Sequence, residues 1–119
     1  MTGKMRVLIV EDEWLIADDA AAYLRKAGHQ VVGPVSSVTA ALRLVGEGGI
    51  DAALLDIQLN DETSYPIAEA LRMRGVPFAF LSGYGEREIP AGFRACRMVQ
   101  KPASQSAILN AVDELARAG

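Results

Sequence analysis

The strongest constraint on this chain is an alternation, in which short apolar, β-branched runs recur between longer segments of helical period. Val7-Leu8-Ile9-Val10, Gln30 to Gly33, Ala52-Ala53-Leu54-Leu55, Pro77-Phe78-Ala79-Phe80-Leu81 and Cys96 to Gln100 each read as a strand. Pro34 is expected to close the second. Between them, Ile16, Ala20, Leu24 and Ala27 share one face of a helix that stops at Gly28. Ser37 caps a second helix with Val38, Ala41, Leu42 and Val45 as its stripe, and Gly48-Gly49 ends it. Asn60 to Ser64 reads as a polar loop, and Pro66 suits the first turn of a third helix running to about Arg74. From Gly83 to Gly92 there is little periodicity, so any helix there is short or loosely held. Ser104 caps a last helix with Ile108, Val112 and Leu115 inward.

Regular β-then-α succession predicts an α/β fold: a doubly wound, five-stranded parallel sheet with helices on both faces. Right-handed crossovers leave few topologies, and a flavodoxin-like (βα)5 arrangement with strand order 2-1-3-4-5 fits them. With 119 residues, positions 1–119 are expected to form a single domain.

Net charge is −3 with no basic block, which argues against a nucleic-acid partner. The apolar runs are too short to span a membrane, and residues 1–4 lead into the first strand pattern without a signal-peptide core. Cys96, the one cysteine, has no internal disulfide partner and reads as a core filler. A cytoplasmic location is the expectation. His29 is expected at the surface before the second strand, and Trp14 either over the start of the first helix or shielding the acid pocket.

In a doubly wound sheet, ligands bind where the strands end, near the reversal of strand order. The residues there form one list: Glu11, Asp12 and Glu13 after the first strand, Asp56 after the third, Ser82-Gly83-Tyr84 after the fourth, Lys101-Pro102 after the fifth. Carboxylates gathered at one crevice repel one another and favour a hard divalent cation. Mg²⁺ takes oxygen ligands and keeps waters that a phosphate oxygen can replace. Lys101 supplies a mobile positive charge, and Ser82 a hydroxyl donor. Asp56 stands alone after the central strand. A carboxylate is a competent nucleophile toward phosphorus once a metal and a cation balance the charge. Glu13 is expected on the solvent rim. Flavin binding would need a phosphate loop where Glu11-Asp12-Glu13 stands, and a dinucleotide would need G-x-G-x-x-G there.

At these residues the chain resembles, over nearly its whole length, the response-regulator receiver domains of two-component signalling. VLIVEDE resembles the family's acidic opening, ALLDIQL its phosphorylation strand, FLSG its Ser/Thr strand and QKP its lysine–cis-proline turn. The resemblance implies a receiver domain with Asp56 as phosphoacceptor, assisting its own phosphorylation and dephosphorylation rather than acting as an enzyme on other substrates. It implies Mg²⁺ held by Glu11, Asp12, Asp56 and the backbone carbonyl of Gln58, with Ser82 and Lys101 contacting the phosphoryl group. The donor would be a histidine kinase or a histidine phosphotransfer protein, and the output docking on a downstream protein. The rival is a pseudo-receiver that binds proteins without being phosphorylated. The sequence departs from the family pattern at three places. Met98 occupies the usual switch-aromatic position, Asn60 stands where many members have proline, and Tyr84 follows Ser82-Gly83. PFAFLSGYGE resembles the receiver subgroup nicknamed "FAT GUY", implying a reduced fourth helix and Tyr84 as the switch, in a chain that is either a stand-alone receiver or part of a longer protein.

Overall fold

The computed structural model describes residues 3–83 and 89–118. Strands β1 (Arg6–Val10), β2 (Gln30–Val35), β3 (Ala52–Asp56), β6 (Phe78–Ser82) and β7 (Arg97–Gln100) form a parallel sheet in the order β2-β1-β3-β6-β7. This is the expected 2-1-3-4-5 order, with β6 and β7 as its fourth and fifth strands. Between β3 and β6 lies a two-stranded antiparallel hairpin, β4 (Gln58–Leu59) and β5 (Glu62–Thr63). Helices α1 (Trp14–Lys26), α2 (Val38–Glu47), α3 (Tyr65–Met73) and α4 (Gln105–Ala118) cover the sheet.

The side-chain period of two divides each strand between two cores. Leu8, Val10, Ala53, Leu55, Phe78 and Phe80 pack with Ala41, Val45, Ile67 and Leu71 beneath α2 and α3. Val7, Ile9, Ala52, Leu54, Ala79 and Leu81 pack with Ala20, Leu24, Ile108, Val112 and Leu115 beneath α1 and α4. Burial on both faces explains why β1 and β3 are continuous apolar runs rather than alternating ones. The helix ends follow the sequence signals. Ser37 Oγ accepts the Ala40 N–H at 3.2 Å, Ser104 Oγ accepts the Ala107 N–H at 3.1 Å, and Gly28 has φ +95°.

Several expectations need correction. Pro34 does not close β2; the strand continues through it to Val35, and the β1 register shifts between Leu8 and Val10. An edge strand tolerates proline because one side of its ladder is unpaired. The buried stripe of α1 is Ala17, Ala20, Ala21 and Leu24, with Ala27 exposed, and Leu42 of α2 is also exposed. His29 is buried, and its Nδ1 accepts the Met5 N–H at 3.1 Å, which makes it a structural tie between the β1 and β2 entries. The expected polar loop at Asn60 is the turn of the hairpin. Between β6 and β7 the described residues hold only a 3-10 turn, Ala91–Phe93. Among the described residues no helix is long and apolar enough to cross a membrane.

Candidate functional site: an acidic cluster and a lysine at the sheet edge

The parallel strands end together, so their last residues meet. β1 delivers Glu11 and Asp12, β3 delivers Asp56, and β7 delivers Lys101. One carboxylate oxygen from each of Glu11, Asp12 and Asp56 lies within 4.8 Å of the others. Lys101 Nζ sits 3.2 Å from Asp56 Oδ2 and 3.3 Å from Glu11 Oε1. Glu13, expected on the rim, is exposed and reaches Lys101 only at 4.0 Å.

Glu11 and Asp56 are buried, and the backbone holds the site in shape. The Glu11 N–H donates to Val35 O at 3.0 Å, and Glu11 Oε2 accepts the Glu13 N–H at 3.1 Å. Asp12 Oδ2 accepts the Asn60 N–H at 3.0 Å. The Lys101 N–H donates to Ser82 O at 2.8 Å, which ties the ends of β6 and β7 together, and the Lys101–Pro102 bond is cis.

The charges do not balance: three carboxylates face one ammonium. Two like charges about 4 Å apart at an effective dielectric of about 20 repel by about 4 kcal/mol. Burial, then the hydrogen bond and charge of Glu11, push the Asp56 carboxyl up to about 8, against the pull of Lys101. Asp12 behaves differently. Burial works upward on it, but the Asn60 N–H and hydrogen bonds with Asp56 and Glu11 prevail and hold it below the usual carboxylate value. Lys101 is likewise opposed by burial, yet Asp56 and Glu11 hold its pKa above the ordinary lysine value. An oxygen-only set with surplus negative charge suits a hard divalent cation, so the residues fit Mg²⁺.

The remaining expected residues are spread around this cluster. Ser82 ends β6, half-buried, its Oγ 3.5 Å from Gly83 O. Gln58 opens the hairpin immediately beyond Asp56 and Ile57. Met98 pairs in register with Phe80 and is half-buried against the α2–α3 core. Tyr84 lies outside the described residues. Trp14 does not cover the helix start; it is 70% exposed and shares with Glu11 and Asp12 a cavity of about 500 Å³.

Two features escape the sequence reading. One is the Asn60 N–H on Asp12, a backbone bond for which residue type gives no signal. The other is an aromatic nest beneath α3. Tyr65 stacks on Phe93 at 5.3 Å, Phe80 meets both edge-on, and the Arg72 guanidinium lies 4.6 Å above Phe93. Its members are scattered from position 65 to 93, so only the enrichment of phenylalanine around β6 hints at it.

Comparison with known proteins agrees with this architecture. The family model for the response regulator receiver domain matches residues 7–113. The chain is 35% identical over 113 residues to the phyllosphere-induced regulator PhyR of Methylorubrum extorquens, covering 87% of this chain and 42% of that protein. It is 28% identical over 112 residues to the transcriptional regulatory protein PdtaR of Mycobacterium tuberculosis, covering 91% of this chain and 55% of that protein. The chain thus spans about half the length of the curated relatives it matches. The solution structure of SdrG from Sphingomonas melonis Fr1 overlays with a TM-score of 0.85 at 40% identity, covering 97% of this chain and 98% of that one. The BeF3-activated conformation of SdrG overlays with a TM-score of 0.81 at 38% identity, covering 98% and 99%. Strand order, the acids and lysine at the sheet edge, and a family match over nearly the whole chain lead to one assignment: the chain belongs to the response regulator receiver domains of two-component signalling.

Proposed function

We propose that the protein accepts a phosphoryl group on Asp56 from the phosphohistidine of a histidine kinase or histidine phosphotransfer protein, and that this changes its binding to a downstream protein. The observation that carries the reading is the contact between Lys101 Nζ and Asp56 Oδ2 at 3.2 Å, with Glu11 and Asp12 beside it. An Asp56 oxygen attacks phosphorus as the P–N bond of the donor breaks. The electron pair of that bond stays on the departing imidazole, and Asp56 becomes an acyl phosphate. Lys101 follows the charge from the carboxylate to the phosphoryl oxygens, and the Ser82 hydroxyl donates to one of them. Glu11, Asp12, Asp56 and the Gln58 carbonyl would hold Mg²⁺, which would supply the positive charge that favours an ionised Asp56 and offsets that of the phosphoryl group. The same groups assist later hydrolysis, so the protein is a phosphoacceptor that takes part in its own turnover. Met98 and Tyr84 are assigned the switch, from the family positions they occupy.

Incubation with acetyl phosphate and Mg²⁺ tests this. The intact mass is expected to rise by one phosphoryl group in the wild type and not in Asp56→Asn. An unmodified wild type would instead favour a pseudo-receiver that binds its partners without phosphorylation.

A further inference from the structure

The β4–β5 hairpin is tied to the acidic cluster by one bond and shaped by another residue's side chain. Asn60, at its turn, has φ +53°, in the left-handed region. Its N–H donates to Asp12 Oδ2 at 3.0 Å. The turn is stapled from Gln58, whose Nε2 donates to Asn60 O at 2.9 Å and to Glu62 O at 3.1 Å. Two carbonyl partners fix the orientation of that amide, since its oxygen could bond neither. Glu62 Oε2 then accepts the Val38 N–H at 3.4 Å, which carries the hairpin to the first turn of α2. Gln58 is exposed, so core packing does not dictate this arrangement.

We infer that the Gln58 side chain is a positioning residue for the divalent cation. By stapling the turn it keeps the Asn60 N–H on Asp12, so that one Asp12 oxygen is committed to the hairpin and the other serves the cluster. The need is electrostatic. Asp12 is the least buried of the three acids, and the Asn60 N–H stands first among the hydrogen bonds that hold its carboxylate charged, ahead of those with Asp56 and Glu11. Without a donor behind it, its carboxylate would swing toward solvent. Hydrogen-bonded outer partners of metal-ligating carboxylates fix their orientation and contribute strongly to affinity. The inference rests on the metal-binding reading above and adds a role for a side chain whose backbone carbonyl alone entered it.

The test uses Gln58→Ala, which keeps the backbone carbonyl, and Asn60→Gly, which keeps the N–H and adopts positive φ without strain. Two quantities are read: amide hydrogen exchange at residue 60 in EDTA, and Mg²⁺ affinity by Trp14 fluorescence. Gln58→Ala is expected to speed the exchange and to weaken Mg²⁺ about tenfold. Asn60→Gly is expected to stay within about twofold of wild type, because it preserves the bond to Asp12. Unchanged exchange in Gln58→Ala would overturn the staple. Faster exchange with wild-type affinity would overturn the positioning role and leave the hairpin merely structural. A wild type that binds no Mg²⁺ would fail the metal reading itself, a result distinct from the exchange measured in EDTA.

Discussion

In the proposed reaction Asp56 meets two opposing demands: it would attack phosphorus as a carboxylate, and its surroundings disfavour the charged form. Burial and Glu11 push it up to about 8 from an ordinary value of 3.8. A raised acid holds more protons folded than unfolded between those values, so it contributes a stability that falls as pH rises through that window. In EDTA, the urea midpoint is therefore expected to drop from pH 5 to pH 8, and Asp56→Asn should flatten the trend. An equal slope in both proteins would place the titration elsewhere. Ser64 gives a second test at this scale. It is fully buried at the start of α3, and among the described residues its hydroxyl has no partner. Its N–H is satisfied by Ile57 O at 2.9 Å, so the penalty lies in the side chain. Ser64→Ala should raise stability by about 1 kcal/mol in chemical denaturation.

At the scale of elements, the two cores differ in what holds them. The buried residues of the α1–α4 side are aliphatic, with Tyr23 packed at its margin, whereas the α2–α3 side gathers Tyr65, Phe78, Phe80 and Phe93 around Arg72. Phe93 is 4% exposed, and Arg72 anchors its turn by donating to Gly92 O at 2.9 Å. Phe93→Ala is expected to cost about 3 kcal/mol in urea unfolding, through the lost burial and the cavity left behind. The strands are legible in the sequence because β1 and β3, buried on both faces, admit only apolar residues until their ends. Caps at Ser37 and Ser104 are legible because a hydroxyl in front of a helical stripe has a specific use. The hairpin is not legible, since each of its strands has two residues and Asp61-Glu62-Thr63 has the composition of any loop. The continuation of β2 through Pro34 and the burial of His29 depend on an unpaired edge and one long-range bond to Met5, neither visible in residue type.

For the whole molecule, the order of the strands creates the site. With β1 and β3 adjacent and β7 two strands away, acids close in space come from positions 11, 12 and 56, and their counter-charge from position 101. Glu11, Asp12, Asp56 and Lys101 are readable as a set because parallel strands must all end at the same edge. Their inequality is not readable: Asp12 is held low by a hairpin bond and Asp56 driven high by burial, which only the folded environment decides. Asp56 alone among these acids is the proposed phosphoacceptor, so the decisive experiment locates the acyl phosphate. Protein treated with acetyl phosphate and Mg²⁺ is reduced with borohydride, which converts an aspartyl phosphate to homoserine, and its peptides are mapped by mass spectrometry. Mg²⁺-dependent reduction at position 56 is expected; no reduction, or reduction at position 12 instead, would rule out Asp56 as the phosphoacceptor.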